Sequence, residues 1–224
     1  MKKNNVTCLI PMRHNSERVP GKNYRTLGDK CLFEHILKSV LEVNAINEVI
    51  INTDSKVIKD IIEESYKNRV KTIERPHDLI NGEIPMNKII ENDLDTISNE
   101  IILQTHSTNP FLSTTSIENA IKVFLEDDKH DSLFSVSSIQ SRFYDHNKKP
   151  INHNPKILLR TQDLNPIYEE NSCIYLFTKK SFLETGNRIG DRPILFKTNS
   201  FESLDIDDEM DFQLAEALVK KQSE

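Results

Sequence analysis

VTCLIPMRHNSERVPGKN, residues 6–23, joins a short apolar run to a polar loop that carries three cations. The run from Val6 to Pro11 has the length and composition of a buried strand. The three cations of the loop are Arg13, Arg18 and Lys22. Hydroxyl, amide and backbone N–H groups beside such cations can hydrogen-bond the oxygens of a phosphate chain. The stretch therefore predicts a first strand that ends in an anion-binding loop, with a solvated basic loop as the alternative.

The composition of the chain argues against several classes of function. The 224 residues carry 29 Lys and Arg against 35 Asp and Glu, and a net charge of -6 provides no broad basic surface for nucleic acid. No apolar run approaches the roughly 20 residues that span a membrane, so we expect a cytoplasmic protein with no membrane or nucleic-acid partner. The cysteines form no C-x-x-C and the glycines form no G-x-G-x-x-G or P-loop, which argues against zinc, dinucleotide and P-loop sites.

Apolar runs alternate with amphipathic segments along most of the chain. Strands are predicted at residues 6–12, 47–52, 70–73, 100–103, 131–136, 172–177 and 193–197. Helices are predicted at residues 31–44, 55–66, 86–97, 114–126, 180–184 and 210–221. This order is typical of a mostly parallel α/β sheet with helices on both faces, in which ligands bind at the carboxyl ends of the strands. The last helix is expected to bury a stripe formed by Phe212, Leu214, Ala215 and Leu218.

Residues 140–170 interrupt this alternation, because they are polar and contain Pro150, Pro155 and Pro166. A long irregular segment in a compact domain is usually a lid, an arm or an insertion. We therefore predict one domain over residues 1–224, with an arm or insertion at about residues 140–170.

A second candidate site lies near the C-terminus, at D-I-D over residues 205–207. Residues two apart in an extended segment point the same way, so Asp205 and Asp207 are expected to face one spot. Paired carboxylates suit one or two magnesium ions that also bind phosphate oxygens. The alternative is a solvated acidic start of the last helix, where carboxylates favour the helix N-terminus.

Both candidate sites resemble motifs of one enzyme family. R-x-N-S-x-x-x-P-x-K-N at residues 13–23 resembles the first motif of the CMP-N-acetylneuraminate synthetases, and more distantly that of the CMP-Kdo synthetases. S-L-D-I-D-D-E-M-D-F-x-x-A-E at residues 203–216 resembles the C-terminal motif of these cytidylyltransferases. The resemblance implies a Rossmann-like nucleotidyltransferase fold that binds CTP, a small anionic acceptor and Mg²⁺ or Mn²⁺. The implied reaction joins CMP to a sialic-acid-like 2-keto sugar acid and releases pyrophosphate.

The resemblance assigns roles to single residues of the two motifs. Nucleotide contacts are implied for Arg13, Asn15, Ser16, Arg18, Lys22 and Asn23, and metal binding for Asp205 and Asp207. The residues implied in catalysis are Arg13, Lys22 and Asp207. One departure is Glu17, which stands where the sialic-acid enzymes usually have a lysine. Because Arg18 supplies its cation one residue later, as in the Kdo enzymes, the phosphate that it contacts is left open.

Weaker matches lie between the two motifs. N-T-D-S at residues 52–55 looks like the family's S-T-D, and Asp54 or Ser55 is expected to cap the next helix. Arg75, followed by Pro76, resembles the start of the R-P-x-x-L loop that helps the family to read cytosine. This resemblance makes Arg75 a further nucleotide-binding candidate.

An acceptor site is also implied by the resemblance. Its candidate residues are Gln104, Arg142, Arg160, Asn171 and Tyr175. Of these, Arg142 or Arg160 is expected to hold the carboxylate of the acceptor. The family usually has another arginine where this chain reads Tyr168-Glu169-Glu170, and our hypothesis is that this change favours an acceptor that bears an amine.

Residues 140–170 are similar in position to the family's protruding dimerisation arm, which implies a homodimer. Two other interpretations stay open from the sequence. The first is the same fold with Kdo or an alkyl phosphonate as the acceptor. The second is a non-catalytic subunit that binds a nucleotide without turning it over.

Overall fold

The computed structural model describes residues 5–223, with side chains described up to residue 221. Within that range the strands are β1 (Val6–Pro11), β2 (Thr26–Leu27), β3 (Lys30–Cys31), β4 (Ile46–Thr53), β5 (Lys71–Glu74), β6 (Ile101–Gln104), β7 (Ser132–Ile139), β8 (Ile167–Thr178) and β9 (Pro193–Lys197). The α-helices are α1 (Leu32–Leu41), α2 (Lys56–Ser65), α3 (Met86–Asp93), α4 (Thr114–Glu126), α5 (Lys179–Thr185) and α6 (Glu209–Ser223). Every predicted strand and helix is present, and the largest differences in their ends are at α3 and β8.

Seven strands form one sheet in the order β5-β4-β1-β6-β8-β7-β9, and β2 pairs with β3 in a separate hairpin. β1 is parallel to β4 and β6, β4 is parallel to β5, and β7 is parallel to β9. Within this sheet β8 is antiparallel to its neighbours β6 and β7. The mostly parallel α/β sheet predicted from the sequence is therefore confirmed.

The strand order reverses at β1, because the chain leads to β4 and β5 on one side of it and to β6 on the other. Ligands of open parallel sheets bind at such a switch point, outside the carboxyl ends of the strands. β1 ends at Pro11 and β6 ends at Gln104, and Leu9 pairs with Gln104 in their register. The loops that follow these two strands therefore meet at the edge where the fold opens a crevice.

Helices cover both faces of the sheet. In β1, Cys8 and Ile10 pack in one core cluster with apolar side chains of α1, α2 and α4. The intervening Leu9 packs in a second cluster with side chains of α3 and α5. This alternation follows from the two-residue period of a strand, and all three β1 side chains are fully buried. The predicted two-layer covering of the sheet is confirmed.

A third apolar cluster connects the two ends of the chain. Val19, from the predicted anion loop, packs with Ile206, which lies between the two predicted metal carboxylates. Phe212 and Ala215 of α6 complete the contact, and all four side chains are fully buried. Burial of a large apolar side chain contributes roughly 1.5–3 kcal/mol, so this contact can hold the two polar sites side by side.

The predicted stripe of α6 is correct at Phe212 and Ala215 and wrong at Leu214. Leu214 is 49% exposed. Residues three apart share a helix face, whereas Leu214 follows Phe212 by two positions and points to the opposite side. Leu218 is half-buried.

β7 and β8 extend beyond their predicted ends. β8 begins at Ile167, inside the segment predicted as irregular, and its first residues pair with the end of β7, from Glu170 opposite Val136 to Ile167 opposite Ile139. The extension is not visible in the sequence because residues 168–170 are polar and exposed rather than apolar. Residues 140–166 then form an irregular excursion, which contains a 3-10 turn at Thr161–Asp163.

Two further findings, on membrane spans and on the cysteines, concern the described residues. No helix among them is long and apolar enough to cross a membrane. The three cysteines are free, and Cys8 and Cys173 lie in the core. Burial raises the pKa of the Cys8 thiol and raises that of Cys173 to about 12, so both are core residues without nucleophilic character.

Candidate active site

A cleft of about 510 Å³ opens where the loops after β1 and β6 meet. The predicted nucleotide-binding residues that line it are Arg13, Asn15, Ser16, Arg18, Lys22, Asn23 and Arg75. Residues 81–84 and 106–108 form other parts of its wall. Three separate parts of the sequence thus share one cavity, and all seven predicted nucleotide-binding residues are in it.

Asn23 braces the cationic loop from inside. Its side-chain nitrogen donates to the Arg13 carbonyl at 2.8 Å, which ties the end of the loop to its beginning. Its side-chain oxygen accepts from the Ser107 hydroxyl at 2.7 Å, which ties the loop to the segment after β6. Because both ends of the amide are in use, Asn23 shapes the loop in addition to lining the cleft.

His14 anchors the middle of the same loop and was missed in the sequence. Its backbone N–H donates to Asp54 Oδ1 at 2.7 Å, and its ring Nδ1 lies 2.8 Å from the Ser55 hydroxyl. The imidazole also stacks on Tyr24, with ring centroids 5.1 Å apart. Of the two residues predicted as a helix cap, Ser55 caps α2, since its hydroxyl accepts from the Ile58 N–H. The N-T-D-S segment therefore supports the loop.

Gly21 permits the turn that places Lys22 in the cleft. Its φ of +66° is in the left-handed region, and a Cβ there would lie 2.8 Å from the Tyr24 ring. We expect Gly21→Ala to lower the free energy of unfolding by about 1–3 kcal/mol, from backbone strain and from displacement of the ring. Gly186→Ala is the matched control, because Gly186 has φ +68° and no atom within 4 Å of the added Cβ.

Urea denaturation of the two variants separates these effects. Gly186→Ala measures the strain of the backbone alone, about 1 kcal/mol. Equal losses in both variants would show that the Tyr24 contact contributes nothing.

Cations of the loop face the carboxylates of the D-I-D segment. Arg18 Nη2 lies 2.6 Å from Asp207 Oδ1, with both side chains more than half exposed. Lys22 is buried, and its Nζ donates to the Ile206 carbonyl at 2.5 Å. Burial lowers the pKa of Lys22, an effect opposed first by Asp205 and then by Asp207. The cationic loop and the D-I-D segment, which were predicted as separate sites, therefore form one site that contains both positive and negative side chains.

The D-I-D carboxylates fit a divalent cation. Asp205 Oδ1 is buried and has no hydrogen-bond partner among the described residues. Burial raises the pKa of Asp205, against hydrogen bonding from Thr108, and the charge of Asp207 raises it further. A buried carboxylate oxygen without a partner, beside a second carboxylate, is a suitable donor for a hard cation. Residues 5–223 contain no group of three His, Cys, Asp or Glu that could hold a metal, so phosphate or water oxygens would have to complete the coordination.

The acidic residues after Asp207 have the alternative role that the sequence suggested, at the start of α6. Asp208 Oδ1 accepts from the N–H groups of Met210 and Asp211, which is the pattern of a helix N-cap. Glu209 forms a two-pronged ion pair with Arg25. The cap and the candidate metal ligands are therefore different residues.

Arg75 lies at the bottom of the cleft and is 3% exposed. Its Nε donates to Asn52 Oδ1 at 2.6 Å, and Asn52 Nδ2 donates in turn to Asp93 Oδ1 at 2.8 Å. Burial lowers the pKa of Arg75, an effect opposed by Asp54 and Asp93. The chain of hydrogen bonds orients the guanidinium at the end of β4, as expected for a residue that reads a bound group.

Gln104 and Tyr175, two of the predicted acceptor-binding residues, meet at a residue that the sequence did not reveal. Arg188 Nη1 donates to Gln104 Oε1 at 2.5 Å, and the guanidinium lies 3.5 Å from the centroid of the Tyr175 ring. Gln104 and Tyr175 are fully buried. Arg188 lies in the polar stretch between α5 and β9, where no local pattern distinguishes it from Arg192.

His106 lies between this group and the cationic loop. It lines the cleft, and its Nε2 is 3.4 Å from Arg188 Nη1. Desolvation, then the charges of Arg188 and Lys22, lower the pKa of His106 to about 3. The imidazole is therefore neutral at physiological pH.

The lowered pKa of His106 makes the stability of the fold depend on pH. A histidine in an unfolded chain has a pKa of about 6.5. Between about pH 6.5 and about pH 3, His106 is therefore protonated in the unfolded state but not in the folded state. Stability is lost as the pH falls through that window. Urea denaturation at pH 7.5 and pH 5 should show a smaller loss for His106→Gln than for wild type, with exposed His146→Gln as the control. Equal losses in wild type and His106→Gln would contradict this.

Asn171 occupies a polar junction between β7, β8 and the segment before residue 203. Its amide lies 2.6 Å from the Ser135 hydroxyl and 2.7 Å from the Thr198 hydroxyl. The following residue, Ser172, has a φ of +60°, which is in the left-handed region. The described contacts give Asn171 a bracing role, and it does not line the cleft.

Arg142 and Arg160 lie in the 140–166 segment and do not line the cleft of this chain. Arg160 Nε forms an ion pair with Asp163 Oδ2 at 2.7 Å, and Arg142 donates to the Leu159 carbonyl. Both arginines are exposed. The cation that the structure brings to Gln104 and Tyr175 is Arg188 instead. These three residues adjoin the cleft through His106 and do not line it themselves.

Comparison with curated proteins yields relatives that are named as CMP-sugar-acid synthases or cytidylyltransferases. CMP-N,N'-diacetyllegionaminic acid synthase of Legionella pneumophila is 29% identical over 240 residues, which cover 98% of each chain. N-acylneuraminate cytidylyltransferase of Escherichia coli O18:K1:H7 is 25% identical over 97% of this chain. This chain spans 53% of that longer relative.

Comparison with solved structures confirms the predicted nucleotidyltransferase fold. CMP:2-keto-3-deoxy-manno-octonic acid synthetase, solved in complex with CTP, has a TM-score of 0.72 at 13% identity and covers 97% of this chain and 99% of its own. The model of one family, described as cytidylyltransferase, matches residues 7–223. The chain therefore belongs to the cytidylyltransferase family.

Proposed function

We propose that this protein transfers CMP from CTP to a sialic-acid-like 2-keto sugar acid and releases pyrophosphate. The observation that best supports the proposal is that the cationic loop lining the cleft contacts the D-I-D segment, with Arg18 Nη2 2.6 Å from Asp207 Oδ1 and Lys22 Nζ on the Ile206 carbonyl. Relatives named for diacetyllegionaminate and N-acylneuraminate indicate the class of acceptor. The same proposal assigns residues 1–224 to one cytidylyltransferase domain that works in the cytoplasm.

The proposed reaction exchanges one bond at phosphorus for another. An acceptor oxygen forms a bond to the α-phosphorus of CTP, and the bond from that phosphorus to the oxygen leading to the β-phosphate breaks. The acceptor hydroxyl releases its proton to solvent, and pyrophosphate leaves with the electron pair of the broken bond. Arg13 and Lys22 would stabilise the charge that grows on pyrophosphate, and Asn15 and Ser16 would hydrogen-bond its oxygens. Positioning and charge neutralisation would supply most of the rate, without a covalent enzyme intermediate.

Asp205 and Asp207 would hold a divalent cation, Mg²⁺ or Mn²⁺. When bound, such an ion neutralises phosphate oxygens and lowers the pKa of a nearby hydroxyl. The unpartnered Oδ1 of Asp205 is the feature of this chain that favours such an ion. Arg18, paired with Asp207 through an exposed contact of modest strength, could exchange that partner for a phosphate.

Arg75 and the acceptor residues complete the proposal. Arg75 would contact the cytosine, because it lies buried at the floor of the cleft beside the end of β4. Gln104 and Tyr175 would form the floor of the acceptor subsite. Asn171 is proposed to contribute to it by holding the start of the buried part of β8.

A homodimer is proposed from the 140–166 segment. Its apolar residues Ile157 and Leu158 are 57% and 89% exposed, which is a typical feature of a surface that another chain covers. In a dimer the segment of one chain, with Arg142 and Arg160, would reach the acceptor subsite of the partner. Sedimentation equilibrium tests this, since a monomer at micromolar concentration would contradict it.

Pyrophosphate release from CTP and magnesium, measured with a panel of acceptors, tests the proposed function. The panel contains N-acetylneuraminate, N,N'-diacetyllegionaminate, pseudaminate, Kdo and 2-aminoethylphosphonate. We expect release with one of the first three. Release with Kdo or the phosphonate would change the acceptor class, and CTP binding without release for any acceptor would support the non-catalytic alternative.

A further inference from the structure

We propose that Arg188 binds the carboxylate of the acceptor, an inference that rests on the proposed cytidylyltransferase function. Arg188 replaces Arg142 and Arg160 in this role within a single chain. The inference starts from its position: it is held by the two residues, Gln104 and Tyr175, that belong to the proposed acceptor subsite.

The guanidinium is fixed but has hydrogen-bonding capacity left. Nη1 donates to Gln104, and the Tyr175 ring supports the cation from one face. The side chain is only 15% exposed. Nε and Nη2 have no hydrogen-bond partner among residues 5–223, and neither belongs to the buried side-chain atoms without a partner, so both are accessible to a ligand. Two adjacent free donors in a fixed plane match the two oxygens of a carboxylate.

The charge near Arg188 is also incompletely balanced. The nearest carboxylate is that of Glu170, whose Oε1 lies 3.8 Å from Nη2, beyond hydrogen-bonding distance. Glu170 is 43% exposed and accepts from the Tyr175 hydroxyl, so it orients the ring beneath the guanidinium more than it neutralises the guanidinium. An anionic ligand would supply the close counter-charge that the protein does not.

The location of Arg188 suits the chemistry of a 2-keto sugar acid. In such an acceptor the carboxylate and the reacting hydroxyl are attached to the same carbon, so the carboxylate must lie close to the α-phosphate. His106 connects the two places, because it lines the same cleft as Lys22 and its Nε2 lies 3.4 Å from Arg188 Nη1. Being neutral, it separates the two cations without adding charge. Arg188 is therefore placed to hold the carboxylate while the hydroxyl faces the phosphate-binding loop.

Arg188→Ala and Arg188→Lys test the inference, with Arg192→Ala as the matched control. Arg192 lies in the same polar stretch, but its side chain is 69% exposed and faces Asp131. We expect the KM for the fastest acceptor of the panel to rise about 10- to 100-fold in Arg188→Ala, the loss typical of a charged hydrogen-bond partner. The KM should rise less in Arg188→Lys, since lysine keeps the positive charge but lacks the two parallel donors of the guanidinium. The Kd for CTP should stay within about twofold of wild type, which a collapsed site would not allow.

A change in the ligand makes the test specific for the carboxylate. The same acceptor with its carboxylate converted to a carboxamide should bind wild type about 10- to 100-fold more weakly. In Arg188→Ala the amide should cause little further loss, because the partner is already absent. If wild type and Arg188→Ala lose equally on amidation, Arg188 does not bind the carboxylate.

The outcomes separate this inference from the proposed function. Wild-type turnover of a sugar acid with an unchanged KM in Arg188→Ala overturns the role of Arg188 alone. If the phosphonate is the acceptor with the fastest turnover, the group that Arg188 binds is not a carboxylate. Absence of pyrophosphate release from wild type with every acceptor overturns the proposed function together with this inference. Thermal melting of each variant checks that the fold persists.

Discussion

Asp207→Asn is expected to lower the rate of pyrophosphate release at least about 100-fold. The substitution preserves shape but removes one of the two carboxylates proposed to hold the divalent cation, next to the unpartnered Oδ1 of Asp205. It also releases Arg18 from its 2.6 Å ion pair. That pair is largely solvent-exposed and of little value to stability, so the melting temperature should change by no more than a few degrees.

Asp208→Asn is the matched control for Asp207→Asn. It removes the next carboxylate along the chain, and asparagine keeps the N-cap that Asp208 provides to α6. Its rate should stay within about threefold of wild type. A comparable fall in both variants would mean that general acidity of the segment matters and that Asp207 is not a specific metal ligand.

Lys22→Met is expected to lower pyrophosphate release about 100- to 1,000-fold and to weaken CTP binding. Lys22 is buried in the cleft between the loop and the D-I-D segment, where its Nζ donates to the Ile206 carbonyl. In such a water-poor site a fixed cation stabilises developing phosphate charge far more than an exposed one does. Methionine nearly preserves the volume, and the desolvation cost that lowers the pKa of Lys22 disappears with the charge.

Lys30→Met is the matched control, because it removes one positive charge without changing the cleft. Lys30 lies in β3, pairs with Asp29 at 3.3 Å and is outside the cleft. It should retain wild-type kinetics. Isothermal titration with CTP distinguishes the two variants, and unchanged CTP affinity in Lys22→Met would contradict a phosphate-binding role for Lys22.

The order of strands and helices could be predicted from the sequence, and so could the half of the site that contains the cationic loop and the D-I-D segment. Strands such as β1 are short apolar runs followed directly by polar loops, so their positions follow from local composition. The cationic loop and the D-I-D segment each contain their chemistry within a few residues, which makes them recognisable before folding. The structure brings these two segments together, through the contact of Arg18 with Asp207.

The acceptor side could not be predicted in the same way, because its contacts are long-range. Arg188 and Gln104 are 84 positions apart, and nothing in the polar stretch around Arg188 marks it as different from Arg192. The start of β8 at Ile167 was missed for a related reason, since polar, exposed residues carry no apolar signal even when they pair with β7. Such features depend on which elements the sheet order brings together.

A phosphorus NMR spectrum of one reaction tests the central claim most directly. The protein is incubated with CTP, magnesium and the best acceptor of the panel, and the products are followed over time. The account predicts that the three CTP signals are replaced by one phosphodiester signal, from the CMP-sugar, and by pyrophosphate in equal molar amount. Formation of CMP and pyrophosphate without the phosphodiester, or of CDP and phosphate, would contradict transfer to an acceptor at the site that residues 6–23 and 205–207 form together.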